Sequence, residues 1–306
     1  MTIALISHPD CLLHDSGLDH PECPDRLRVI SNALASADLE PFLTHERAPL
    51  ASREQLRRVH DEEYIDSLFQ LTPQQGFVDL DPDTVMSPHT LSAALHAAGA
   101  VIKAVDLVLS DRKISTAFCN VRPPGHHAER ARAMGFCFFN NLAVGVAHAI
   151  EYYRIKRVAI VDFDAHRGNG TEDIFQHNKK ILIFSMYEQF LYPFDKPITN
   201  AKNIINIPLA AGATGREFRA EITQHVLDKL SAFKPEIIFI SAGFDGHEKD
   251  NISDLNLTEF DYLWISQQIK QIANSDGQGR IVSVLEGGYA LDVLGQCVVA
   301  HLKGLI

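Results

Sequence analysis

The stretch RVAIVDFDAHRGNG (157–170) decides how the chain is read. Its first half, 157–163, is a near-continuous apolar run, as expected of a strand buried on both faces of a parallel sheet. Its second half delivers Asp162, Asp164, His166 and Asn169 directly after that run, among glycines that end the strand. The same grammar recurs at TIALIS (2–7), STAFC (115–119), KILIFSM (180–186), EIIFIS (236–241) and RIVSVL (280–285). Helical patterns fall between these runs. One is expected to open with Ser87 as N-cap and Pro88 in its first turn, with Leu91, Ala94, Leu95, Ala98, Val101, Ile102 and Val105 along one face. Two more start with capping-box signatures, Thr214 with Glu217 and Thr258 with Asp261. Strand and helix alternate without a linker, low-complexity tract or repeat, so residues 1–306 are expected to form one single-domain α/β layer sandwich. The stretch 12–88 has weaker strand signals and is expected to form helices and loops decorating the sheet.

Bulk properties narrow the function classes. A 46% hydrophobic content over 306 residues is enough for one thick core. The formal net charge of -11 lacks the basic footprint that phosphate-backbone binding requires, so no direct nucleic-acid partner is expected. The five cysteines, Cys11, Cys23, Cys119, Cys137 and Cys297, are scattered, odd in number and without a CxxC pair. That argues against a disulfide framework or a cysteine-built zinc site, and fits a reducing cytoplasm. The apolar 2–7 segment is short and lacks a preceding basic region, and no uninterrupted apolar run approaches membrane-spanning length. A cytoplasmic protein without a membrane partner is the expectation; the oligomeric state is not legible.

In open parallel sheets, sites form beyond the carboxyl ends of the strands. Here the first of three such ends carries Asp162, Asp164, His166 and Asn169, the second carries Asp245, and the third carries Tyr289. Asp164 and His166 are two apart, so on an extended segment they project to one side and can bind one ion, with Asp245 as a third ligand and a position left for water. So oxygen-rich a set suits zinc, and also Fe²⁺ or Co²⁺. Short motifs of this kind recur by chance, so the weight rests on their company. That company includes RPPGHHA (122–128), whose adjacent His126 and His127 sit in a Pro/Gly-stiffened loop suited to acid–base work. Cys137 has no dedicated base and reads as a small packed residue.

The chain resembles the histone deacetylase family, including its bacterial deacetylase-like and acetylpolyamine-hydrolase members, within the arginase-deacetylase fold. The matching segments are HPECPDRL (20–27), RPPGHHA (122–128), GFCFFNN (135–141), DFDAHRGNGTE (162–172), SAGFD (241–245) and LEGGY (285–289), in the family's order. The resemblance implies a three-layer α/β/α domain around an eight-stranded, mainly parallel sheet. It implies Asp164, His166 and Asp245 as ligands of a catalytic Zn²⁺, and His126 and His127 as tandem active-site histidines, with Asp162 supporting the first and Asn169 near the second. Tyr289 becomes the residue that polarises the substrate carbonyl. A structural K⁺ held mainly by backbone carbonyls near Asp162, Asp164, His166 and Ser185 is expected too.

The implied activity is hydrolysis of an N-acyl amine, with acylated lysine peptides or proteins, or small acylated amines, as partners. Gly135 and Phe136, with aromatics from the 190–194 stretch, are expected to wall an apolar slot for the substrate's aliphatic stem. Alignment places Ile252 where many lysine deacetylases have leucine and a polyamine-selective relative has glutamate, which favours acyl-lysine over acetylpolyamine. Three positions depart from the family pattern: Arg167 where a second histidine is common, Tyr187 where histidine is frequent, and Asn251 for a frequent proline. An arginase-like two-metal hydrolase lacks its bridging carboxylates, since Gly168 and His247 occupy those positions. An inactive acyl-lysine binding module would be expected to have lost a ligand, a histidine or the tyrosine, and all are present.

Overall fold

The structure, a computed structural model, describes residues 2–111, 113–276 and 279–306. In chain order the strands are β1 Thr2–Ser7, β2 Leu43–Arg47, β3 Val78–Asp81, β4 Thr84–Met86, β5 Ile114–Cys119, β6 Val158–Asp162, β7 Ile181–Glu188, β8 Ile204–Leu209, β9 Ile237–Ala242 and β10 Ile281–Leu285. All six apolar runs form strands within two residues of their expected limits. Eight strands make one sheet in the order β2-β1-β5-β10-β9-β6-β7-β8, and every pairing in it is parallel.

The two strands of this sheet not expected from sequence, β2 and β8, are its edges. In β2 only Leu43 is buried, and in β8 only Ile204, Ile207 and Leu209 are, because one flank of an edge strand is open. The stretch 12–88 also holds more than helices and loops: β2 lies in it, and so does the separate antiparallel hairpin β3-β4. In β6, β9 and β10 every residue is buried. Helices Asp25–Ser36, Glu259–Asp276 and Leu291–Leu305 pack on one another, as do Thr90–Ser110 and Asn141–Glu151, and together they flank the sheet as a single α/β/α domain.

Two helix starts follow the capping logic and one departs from it. The Thr214 box is complete, with both reciprocal bonds made. At Thr258 the Asp261 carboxylate accepts from the Thr258 backbone N–H at 2.9 Å, while the Thr258 hydroxyl donates to the same carboxylate instead of accepting from the helix. Ser87 is not an N-cap: the helix starts at Thr90, and Ser87 closes the preceding turn by pairing its N–H with the Thr90 hydroxyl at 2.8 Å.

The same helix, Thr90–Ser110, is long and apolar enough overall to cross a membrane, although His96, Lys103 and Asp106 interrupt its apolar run. Within its 21 residues an 18-residue window has mean hydropathy 1.5, yet 67% of that window is buried inside the fold. It is buried nearly all round, which is why its one-face pattern was incomplete. Gly99, mid-helix, lies directly against the backbone of Pro49, so a Cβ there would overlap the Pro49 carbonyl.

This register aligns the chemistry. Leu285 pairs with Ala242, and Asp162 with Ser241, so β6, β9 and β10 end level and deliver their following residues to one sheet edge. An interior helical Gly→Ala usually stabilises by about 1 kcal/mol. At Gly99 the sign reverses: Gly99→Ala is expected to cost on the order of 1–3 kcal/mol through overpacking, measured as a lowered midpoint in urea unfolding.

Candidate active site

Beyond the level ends of β6 and β9, Asp164, His166 and Asp245 converge. The His166 Nδ1 lies 3.0 Å from Asp164 Oδ1 and 3.0 Å from Asp245 Oδ2. All three side chains are buried. Both carboxylates are steadied by backbone donors, Asp164 by Gly287 N–H at 2.8 Å and Asp245 by Ala165 N–H at 2.9 Å. Burial disfavours the His166 imidazolium, but the two carboxylates outweigh it and carry His166 up to about 10. Burial and the neighbouring Asp164 push Asp245 up to about 6. Positive charge is therefore strongly favoured at the point where these groups meet.

Two other trios of potential ligands occur among the described residues, His8 with Asp10 and His96, and His247 with Glu259 and Cys297. In each, one histidine already spends its Nδ1 lone pair on a backbone N–H: His8 on Asp10 at 3.2 Å, His247 on Lys249 at 3.1 Å. Of the three, the Asp164 trio alone is wholly buried.

The tandem histidines lie beside this trio with ring centroids 4.1 Å apart. His126 Nδ1 is 3.0 Å from Asp162 Oδ2, and its Nε2 faces Asp164 Oδ1 at 3.7 Å. His127 Nδ1 pairs with Asn169 Oδ1 at 2.8 Å, while Asn169 Nδ2 donates to Glu129 at 2.8 Å. That chain of donors makes Asn169 Oδ1 the acceptor, so His127 carries its proton on Nδ1 and leaves Nε2 as a free lone pair. The two rings are pushed apart in basicity. Burial opposes charge on His126, but Asp164 and Asp162 raise it well above the usual histidine range. Burial, with His126 and His166 adding repulsion, lowers His127 well below that range.

Above these groups opens a slot of about 210 Å³, lined among others by Gly135, Phe136, Tyr192, Phe194, Ile252 and Tyr289. Gly135 has φ 56°, and a Cβ on it would fall 2.5 Å from His127 Cδ2, so only glycine lets the wall approach the imidazole. Burial raises the Tyr289 phenol well above its ordinary value despite nearby Arg26, which keeps it a neutral donor. Of the 190–194 aromatics, Tyr192 and Phe194 line the slot, whereas Phe190 is exposed and lines a neighbouring cavity.

A pattern for the histone deacetylase domain matches residues 20–305 of this chain. The chain belongs to the histone deacetylase family. A probable deacetylase of Archaeoglobus fulgidus is 33% identical to it over 303 residues, covering 95% of this chain and 82% of the relative. The histone deacetylase-like amidohydrolase of Pseudomonas aeruginosa is 31% identical over 298 residues, covering 94% and 77%. The crystal structure of the HDA15 HD domain matches with a TM-score of 0.90 at 30% identity, over 99% of this chain and 88% of that one. The arginase-deacetylase fold and amide hydrolysis follow as family properties.

This deacetylase-family site also depends on charged residues of HPECPDRL, RPPGHHA and LEGGY that lie behind it. Glu22, Arg26, Arg122 and Glu286 are all buried. Arg122 holds Glu22 with two N–H groups at 2.5 and 2.6 Å, and Arg26 adds a third at 3.1 Å. Arg26 also donates to the carbonyls of Glu286 and Gly288 at 2.5 and 2.7 Å and lies 4.7 Å over the Tyr289 ring. Glu286 accepts from Gly125 and His126 N–H at 2.7 and 3.1 Å, fixing the start of the tandem histidines, and burial pushes it up to about 7. Asp250 accepts from the N–H groups of Tyr289 at 2.6 Å, Ala290 at 3.0 Å and Ile252 at 3.2 Å, joining the Tyr289 loop to the Ile252 loop. Paired opposite charges inside HPECPDRL and RPPGHHA were the available signal. Asp83 and Tyr192, which also line the slot, come from loops with none.

Proposed function

We propose that this deacetylase-family chain is a zinc-dependent hydrolase of N-acyl amines, with acyl-lysine side chains of peptides or proteins as substrates. The observation that carries this reading is the buried convergence of Asp164, His166 and Asp245, of which His166 lines a slot shared with His127 and Tyr289.

The donor set suits a divalent ion: two carboxylate oxygens lie 3.0 Å from one imidazole nitrogen, and an ion held there would take the place of the ring proton that His166 otherwise shares with them, beside Gly287, where a Cβ would crowd both carboxylates. Zinc held there supplies Lewis acidity for the acyl carbonyl and lowers the pKa of a water; Fe²⁺ and Co²⁺ fit the same oxygen-rich ligands. For the structural K⁺, Ser185 offers a buried Oγ that has no partner, in register with Asp162.

The chain's own groups divide the remaining work. His127, neutral and with a free Nε2, takes a proton from the attacking water and returns it to the departing amine. His126, held charged between Asp162 and Asp164, stabilises negative charge as it develops, and Asp162 fixes its ring. Asn169 sets the His127 tautomer. Tyr289, placed by Arg26 and Asp250, donates to the oxyanion.

A slot of about 210 Å³ is small for a drug-sized ligand and suits one extended side chain. Gly135, Phe136 and Ile252 give it apolar walls for a methylene stem. The acetylpolyamine alternative draws on a different observation: Asp83 also lines the slot and could pair with a second ammonium, although burial and neighbouring Asp81 push it up to about 6. Ile252 offers no such charge. The five cysteines, all unpaired, support a cytoplasmic setting.

Purified protein is expected to carry about one catalytic divalent ion per chain; elemental analysis with chelation and reconstitution checks this, and full activity without any divalent metal would overturn it. Tyr289→Phe is expected to keep its circular-dichroism spectrum and lose on the order of a hundredfold or more in kcat, with His127→Ala at least as damaging. Parental turnover of an acetyl-lysine peptide by both variants would refute the roles assigned here. Acyl-lysine peptides are expected to exceed acetylspermidine and acetylputrescine in kcat/KM, and Ile252→Glu to narrow the gap, because a carboxylate at that wall attracts a second ammonium. A parental preference for the acetylpolyamines at matched concentrations would replace the substrate assignment.

A further inference from the structure

Arg167 stands where the chain leaves the pattern that it otherwise follows, and its side chain, 3% exposed, is committed on two sides. Its Nη1 donates to Glu172 at 2.6 Å, a carboxylate wholly buried in the short helix Asn169–Phe175. Its Nη2 is paired with Asp195, a residue about half exposed on the loop 189–197. One guanidinium thus bridges the fixed floor of the site to the loop that carries Tyr192 and Phe194.

Past its first residue that loop has little else to hold it. Its first residue is anchored by Gln189 N–H to the Leu209 carbonyl at 2.8 Å; beyond that, among the described residues, its backbone N–H bonds are Leu191 to Glu188 and Phe194 to Leu191, both long at 3.4 Å. Phe190 and Phe194 have φ of 69° and 64°, left-handed values that an L side chain adopts at a cost, and both rings are exposed. Yet Tyr192 is placed closely. Its ring meets His127 edge-on with centroids 5.1 Å apart and approaches Gly135. Leu191 and Phe194 separate the slot from a second cavity of about 480 Å³, along which Arg167 and Asp195 lie.

We infer that Arg167 is a positioning residue: through Asp195 it clamps the 189–197 loop, holds the Tyr192 wall against His127 and Gly135, and thereby sets the width of substrate that the slot accepts. The inference rests on the hydrolase reading above for the word substrate, and on the loop geometry alone for the clamp. Lysine in place of Arg167 cannot serve both carboxylates with one rigid fork. Removing Arg167 altogether would leave Glu172 buried and unpaired, so the exposed end of the clamp is the better place to cut it.

The experiment compares the parent with Asp195→Ala, Asp195→Glu, Arg167→Lys and the double variant Arg167→Lys/Asp195→Ala. Chymotrypsin cleavage at Phe190–Leu191, followed by mass spectrometry, reports loop opening without reference to activity. Asp195→Ala is expected to be cut roughly three- to tenfold faster, Asp195→Glu near the parental rate, and the double variant no faster than Asp195→Ala. In parallel, KM for an acetyl-lysine peptide is expected to rise about three- to tenfold in Asp195→Ala with kcat within about twofold, while hexanoyl-lysine gains relative to acetyl-lysine. An unchanged cutting rate overturns the clamp, and a faster cut with unaltered KM and acyl preference overturns its role in substrate width. A parent that hydrolyses none of these peptides sinks the hydrolase reading, and the cutting rates then decide the clamp alone.

Discussion

The level ending of β6, β9 and β10 is the constraint on which the rest of the molecule depends. Parallel pairing fixes Asp162 opposite Ser241 and Ala242 opposite Leu285, so the residues that follow each strand arrive at the same height. Because side chains in these strands are buried on both faces, a slip of one residue would reverse every inward-facing position and separate Asp164 from Asp245. The apolar core therefore does more than stabilise the fold: it holds two carboxylates and an imidazole closer together than their own electrostatics would allow in water.

Holding them there has consequences that spread outward through buried charge. The negative charge of Asp164 and Asp162 is what keeps His126 charged against burial, and a charged His126 is in turn one reason that its neighbour His127 stays neutral. Two adjacent residues of the same type thus acquire opposite protonation from environment alone. Further out, Glu22 is compensated by both Arg122 and Arg26. Such a buried cluster adds little net stability over apolar packing, since desolvation offsets its attraction. Its value lies in geometry, because Arg26 ties the carbonyls on either side of Gly287 and lies over Tyr289.

Legibility in the sequence followed the same physics. The strands buried on both faces could be read because nothing but apolar residues suits them, and the residues at their ends could be read because polar chemistry directly after such a run is unusual. The edges β2 and β8 were hidden by their mixed burial, and Thr90–Ser110 gave only part of its pattern because it is buried nearly all round. At the site, residues within motifs were found by type and spacing. Asp250 and Glu286 were not assigned roles, since a carboxylate that accepts from backbone N–H groups across 39 or 161 positions leaves no local trace. Tyr192 and Phe194 were approximate for another reason. Their place depends on a loop whose path no periodicity encodes.

The site thus has two mechanical regimes. Its floor is built from strand ends, backbone N–H donors and a fully buried salt-bridge network, so it tolerates almost no displacement: a Cβ on Gly287 would already crowd both Asp164 and Asp245. One of its walls is a loop with long backbone hydrogen bonds beyond its Gln189 anchor, two left-handed phenylalanines and a half-exposed carboxylate. Chemistry that needs sub-ångström placement sits on the first, and choice of substrate falls to the second, where a change of one or two side chains can move a ring without disturbing the groups that react. A chain on this fold can therefore keep its hydrolytic centre intact while the residues around the slot, Arg167, Tyr192 and Ile252 among them, diverge.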